Sequence, residues 1–82
     1  MKVYVTHVSI PAMSTIGYGE GYGLGECGRR FRVTFAGDHR PMRYLGEALA
    51  AASEAGENAP AIEVEDWQVL SVIDEEAQPL LN

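Results

Sequence analysis

The sequence has little of the chemistry on which enzymes and secreted scaffolds depend. It contains one cysteine, Cys27, and two histidines, His7 and His39, which stand 32 positions apart. A lone cysteine cannot form an internal disulfide, and it has no companion at the spacing of a zinc site. No serine or cysteine stands in a nucleophile motif. We therefore expect no catalytic residues, no metal and no cofactor, and a protein that is not an enzyme.

Long apolar segments are also missing. No run approaches the roughly 18 apolar residues that a membrane-spanning helix needs, and Met1-Lys2-Val3 leads directly into a strand pattern rather than a leader segment. A chain of 82 residues, of which 46% are hydrophobic, has room for one small core. The sequence predicts a single domain over residues 1–82, located in the cytoplasm and without a membrane partner.

Positive charge is absent from the second half of the chain. Residues up to Arg43 include six Lys and Arg against three acids, a local charge of +3. From Tyr44 onward there are nine acids and no Lys or Arg, a local charge of −9, so that the whole chain carries −6. This asymmetry favours either a solvated acidic surface or a surface that attracts a basic partner, and it disfavours general binding to nucleic acid.

Hydrophobic patterning predicts three strands and one helix. Residues 3–10 and 29–36 are rich in β-branched and aromatic residues and predict strands. Residues 41–55 have apolar side chains at three- and four-residue spacing and predict a helix that Gly56 ends. Residues 61–73 predict one long or bent last strand.

This order of elements favours an α+β fold. We expect a ββαβ arrangement, in which a three-stranded, mainly antiparallel sheet with strand order 2-1-3 carries one helix on one face. The residues expected to form one core are Phe31, Phe35, Leu45, Leu49 and Trp67.

The first strand has apolar residues in both phases. Tyr4, Val8 and Ile10 are out of phase with Val3 and Val5, so a regular strand would expose apolar side chains on both faces of the sheet. Because one helix covers one face, we expect the other face to be covered by the long loop, by a homodimer mate or by a partner protein.

A glycine-rich segment over residues 11–28 separates the first two strands. It is interpreted as a long loop, although its alternation of glycine with larger residues would also suit a ribbon with Tyr18, Glu20, Tyr22 and Leu24 on one side. Residues 75–82 are predicted to form a flexible tail.

A short acidic chain with three strands, one helix, one long loop and no catalytic motif resembles the small inhibitors of phages and mobile elements, above all the anti-CRISPR proteins. The resemblance lies in size, charge and layout. It implies an inhibitor, acting in the host cytoplasm if phage-encoded, that blocks a basic nucleic-acid-binding surface of its target. The residues expected to bind such a partner are Glu63, Glu65, Asp66, Asp74, Glu75, Glu76, Tyr18 and Tyr22.

Two other functions are compatible with the sequence. The chain could be a structural or assembly subunit, or an antitoxin-like partner protein, that uses an uncovered sheet face. It could instead bind nucleic acid directly through Arg29, Arg30 and Arg32 together with the loop tyrosines.

Overall fold

The computed structural model describes residues 1–75, except for the side chain of Cys27. From residue 76 onward, the predicted tail over residues 75–82 lies outside the described residues. The elements are strands β1 (Lys2–Ser9), β2 (Ile16–Leu24) and β3 (Arg30–Asp38), helix α1 (His39–Ala55), and strands β4 (Ala61–Glu63) and β5 (Val69–Asp74). Short 3-10 turns over Glu26–Gly28 and Asp66–Gln68 precede β3 and β5.

The sheet has five strands in the order β4-β1-β2-β3-β5, and every neighbouring pair is antiparallel. The α+β class is confirmed, but the prediction of a three-stranded sheet with order 2-1-3 is wrong. Residues 16–24 form a strand that lies between the two predicted strands and separates them. Residues 61–73 form two strands at opposite edges of the sheet rather than one long strand.

Strand β2 forms because its glycines let neighbouring side chains pack on its backbone. A Cβ placed on Gly19 would overlap the Cζ atom of the Phe35 ring and lie 2.7 Å from Cε2, and a Cβ on Gly17 would lie 2.7 Å from the Cβ of Met42. Phe35 and Met42 are 0% and 3% exposed. The burial of these large side chains offsets the low strand propensity of glycine.

A β-bulge in β1 places its apolar residues on one face. Val5 pairs with Gly21 whereas His7 pairs with Glu20, so Thr6 is an extra residue and the side-chain alternation changes phase there. Val8 and Ile10 consequently pack against the same core as Val3 and Val5. The expectation that Val8 and Ile10 lie on the second face is therefore wrong, whereas Tyr4 does lie on that face, opposite Val3 and Val5.

Helix α1 packs on the glycine side of the sheet. It begins two residues earlier than predicted and ends as predicted, where Gly56 adopts a left-handed conformation with φ 69° and ψ 23°. The buried apolar residues are Val3, Val5, Val33, Phe35, Met42 and Val64, with Leu45 and Leu49 packed against them. Trp67 is 75% exposed and lies outside this core, contrary to expectation.

The connection from β4 to β5 shows that the sheet is curved. Residues 63 to 69, three of which form a 3-10 turn, can span only about 16 Å, whereas β4 and β5 would lie about 19 Å apart across a flat sheet. Val64 is 1% exposed within the core, so the connection crosses the side that holds α1. At its end, Gln68 Nε2 donates to the carbonyl oxygen of Ala36 on β3, at 3.2 Å. The sheet is concave toward the helix.

Within the described part of the chain, no helix combines the length and the apolar character that crossing a membrane requires.

Candidate functional site

The face of the sheet opposite α1, here called the open face, carries polar and aromatic side chains. The strand register places large residues of β2 there, because its glycines occupy the other face. The charged and aromatic members of the open face are Lys2, Tyr4, His7, Tyr18, Glu20, Tyr22, Arg30, Arg32 and Glu63.

Two tyrosines on the open face stack between two cations. The rings of Tyr4 and Tyr22 are 5.2 Å apart and inclined by 20°. Lys2 Nζ lies 5.3 Å from the centre of the Tyr4 ring, and Arg30 Cζ lies 4.0 Å from the centre of the Tyr22 ring. These cation–π contacts and the stack use the ring faces that a nucleic-acid base would need. Tyr18, which is 41% exposed, presents more surface to a partner than the half-buried Tyr22.

The three arginines that could bind nucleic acid each lie near a carboxylate. Arg29 contacts Asp74 at 2.5 Å from Nη2 and 2.7 Å from Nε, and Arg30 Nε lies 3.4 Å from Glu75. Arg32 Nε lies 3.9 Å from Glu20 on the open face. Exposed ion pairs contribute little to stability, but they compensate charge locally. A phosphate group would have to compete with these carboxylates.

Three carboxylates gather at one end of β4, and we call Glu63, Glu65 and Asp66 the acidic corner. All three are exposed. Glu63 Oε2 lies 2.7 Å from the α-ammonium group of Met1, which also donates to the carbonyl oxygen of Val64 at 3.0 Å. The hydrogen bond to Glu63, together with the negative charges of Glu63, Asp66 and Glu65, raises the pKa of this ammonium group above 8.0, although desolvation acts in the opposite direction.

The predicted partner-binding residues therefore fall into separate places. The acidic corner follows β4 at one edge of the sheet, whereas Asp74 and Glu75 lie at the end of β5, on the other edge, beside their arginines. Tyr18 and Tyr22 lie on β2 between the two edges. Glu76 lies outside the described residues. The structure brings together three of the predicted acids and separates them from the others.

Sequence reasoning missed an exposed apolar patch beside β5. Trp67 is 75% exposed, Leu70 55%, Ile73 47% and Ile16 43%. We call Trp67, Leu70 and Ile16 the β5 patch. Trp67, Leu70 and Ile16 line a shallow hollow of about 120 Å³. The missed signal was the Glu65-to-Gln68 spacing, which suits a turn: Gln68 Oε1 accepts a hydrogen bond from the Glu65 amide at 3.0 Å, and this turn carries Trp67 out of the core.

A larger apolar hollow opens at the end of the sheet where β1 begins and β2 ends. It has a volume of about 600 Å³, and its lining includes Gly23, Phe31, Val33 and Val72. A Cβ on Gly23 would make a close contact of 3.3 Å with the Lys2 carbonyl oxygen. Within residues 1–75, no group of three or more His, Cys, Asp or Glu side chains is arranged to hold a metal ion.

Comparison with protein-family models, with curated proteins and with solved structures found no match. Function is therefore inferred from the residues of this chain.

Proposed function

We propose that this chain is a protein-binding inhibitor that occupies a basic, nucleic-acid-binding surface of its target. The observation that supports this proposal is the acidic corner, where three exposed carboxylates share one end of β4. The one ion pair of 4 Å or less that the described residues make with these carboxylates is formed by the Met1 ammonium group.

The distribution of charge gives this corner its influence on a partner. Arg29, Arg30 and Arg32 lie beside carboxylates, so much of the positive charge of the first half is compensated within the molecule. No Lys or Arg follows Arg43, and the chain carries −6 overall. A cationic surface would be steered toward the acidic corner, and the effect would weaken as salt increases.

The same contacts make direct nucleic-acid binding the less favoured function. Phosphate contacts would have to replace the ion pairs of the arginines, and base stacking would have to displace Tyr4 or Arg30 from Tyr22. An inhibitor of the anti-CRISPR kind fits the proposal, because such a protein acts on a target whose working surface is basic.

The experiment compares two triple variants that change charge equally. One carries Glu63→Lys, Glu65→Lys and Asp66→Lys. The control carries lysine in place of three exposed acids on and after α1, Glu47, Glu54 and Glu57. Binding to a panel of purified RNA-guided nucleases and other nucleic-acid-binding proteins is measured by biolayer interferometry at several salt concentrations, with nucleic acid as competitor. Circular dichroism checks folding.

We expect the acidic-corner variant to lose at least about tenfold in affinity for a target that the wild type binds, partly through slower association, and the control to lose less than about threefold. Nucleic acid should displace the wild type. Equal losses in the two variants would show that net charge alone matters. Unchanged binding of the acidic-corner variant at every salt concentration would refute the proposal.

A further inference from the structure

Strand β5 is an edge strand that lacks the usual protection of an edge. It has six residues, and among residues 1–75 it has a neighbouring strand on one side only, β3. Leu70, Val72 and Ile73 are each about half exposed, at 55%, 45% and 47%. The strand contains no lysine and no proline, and its one charged residue is the terminal Asp74. Natural edge strands of this length normally contain such residues, which prevent pairing with a strand of another chain.

The opposite edge of the sheet is protected. Strand β4 has three residues, follows Pro60 and ends at the acidic corner, so it offers a short and charged template. The two edges of one sheet thus differ in length and in polarity. Because both belong to the same small domain, the open edge at β5 is a specific feature of this strand rather than a general property of the sheet.

Exposed anchors stand beside this edge. Trp67 and Leu70 border the shallow hollow of the β5 patch, and Ile73 lies on the open face, where its backbone pairs with Arg32. An added strand gains affinity from main-chain hydrogen bonds and specificity from pockets for alternate side chains. Exposed tryptophan is enriched among the residues that dominate binding energy.

We propose that β5 accepts an extended, lysine- or arginine-containing segment of a partner protein as a sixth strand of the sheet. The charges before β5 identify this occupant. Glu65 and Asp66 precede the strand and are exposed, whereas Asp74 and Glu75 at its other end contact Arg29 and Arg30. A cationic strand would meet exposed acids at the start of β5.

A second copy of this chain is the less suitable occupant. An antiparallel pair of β5 strands would bring together two molecules that each carry −6. Glu65 and Asp66 of each copy would lie near the end of the other strand, where Asp74 and Glu75 already contact Arg29 and Arg30. The repulsion between the two net charges therefore disfavours self-pairing.

This inference rests on the proposed function, because it describes how a cationic partner is held. The test uses the isotope-labelled full chain and two blocked ten-residue peptides as probes, one of alternating valine and lysine and one of alternating valine and glutamate. Amide hydrogen exchange and chemical shifts are followed by NMR. We expect the lysine peptide to slow exchange of the β5 amides that point away from β3 by at least about tenfold and the glutamate peptide to leave it unchanged.

Variants at one exposed position control for the strand itself. Ile73→Lys should weaken binding of the lysine peptide by at least about tenfold, because a lysine on the edge strand repels the cationic peptide and discourages strand pairing. Ile73→Thr keeps a β-branched residue and should weaken binding by less than about threefold. Folding of both variants is checked by circular dichroism.

Several results would overturn the inference. The first is that the lysine peptide does not bind. The second is that the β5 amides that point away from β3 are as protected in the free monomer as those of β2. The third is a dimer in light scattering in which these same β5 amides are protected. If the lysine peptide shifts only the acidic corner, the inference fails while the proposed function stands. If it protects β5 equally when Glu63, Glu65 and Asp66 are lysine, these acids do not select a cationic strand and the inference fails in its choice of partner.

Discussion

The packing of Phe35 on the backbone of β2 can be tested with two glycines of the same strand and face. In Gly19→Ala, the new Cβ would overlap the ring of Phe35, which is 0% exposed and cannot turn toward solvent without losing its burial. In Gly23→Ala, the nearest atoms are the Lys2 carbonyl oxygen at 3.3 Å and a Val33 methyl carbon at 3.9 Å. Neither glycine has a positive φ, so backbone strain does not distinguish them.

The expected magnitudes follow from these distances. Overpacking a core costs about 1–3 kcal/mol, and expelling the ring entirely would approach the cost of about 3–5 kcal/mol for removing a buried phenylalanine. Replacing glycine by alanine returns about 0.4–1 kcal/mol by restricting the unfolded chain. We expect Gly19→Ala to lower the free energy of unfolding by about 2 kcal/mol, and Gly23→Ala to change it by less than about 0.5 kcal/mol.

Urea unfolding followed by circular dichroism measures both values. The loss expected for Gly19→Ala is a large part of the total stability of about 4–12 kcal/mol for a domain of this length. Adding Phe35→Leu to Gly19→Ala should cost less than the sum of the single changes, because the smaller side chain relieves the overlap. A difference of less than about 0.5 kcal/mol between the two glycine variants would refute this account of β2.

Two further predictions concern exposed groups. Trp67→Ala should change the free energy of unfolding by less than about 1 kcal/mol, since the side chain is 75% exposed. A loss above about 2 kcal/mol in urea unfolding would show that the side chain is part of the core. The Met1 ammonium group has a raised pKa, so its contribution to stability is complete below its ordinary pKa of 8.0 and is lost as pH rises through the raised value. As pH rises above 8, the chain should lose stability relative to an N-terminally acetylated form, and an equal dependence of stability on pH in the two forms would contradict this.

Local patterns were sufficient for some elements and not for others. Spacing and composition predict the helix over residues 41–55 and the strands over residues 3–10 and 29–36. The structure confirms all three elements, and none of their ends differs from the prediction by more than two residues. Strand β2 was missed because glycine has a low strand propensity. Its alternation of glycine with Tyr18 and Tyr22 was the available signal, but the stabilising contacts come from Phe35 and Met42, which are distant in sequence.

The candidate site also combines features that local sequence predicts with features that depend on contacts between distant residues. That β4 and its turn carry acids is readable from the sequence, whereas the pairing of Asp74 with Arg29 and of Glu75 with Arg30 depends on β5 lying beside β3. The prediction of one long last strand could not place these residues, because it overlooked the turn that exposes Trp67. The position of charges on a surface depends on topology more than on composition.

The bulge at Thr6 has a consequence for how this chain can vary in length. Removing one residue between Val5 and Val8 would restore regular alternation and leave Val8 and Ile10 on the core face, whereas adding one residue there would turn both toward solvent. The identity of the residue at position 6 matters less, since its side chain is exposed. Relatives of this protein should therefore tolerate substitution or deletion at this position and reject an insertion, whereas the turn between β1 and β2 should accept changes in length.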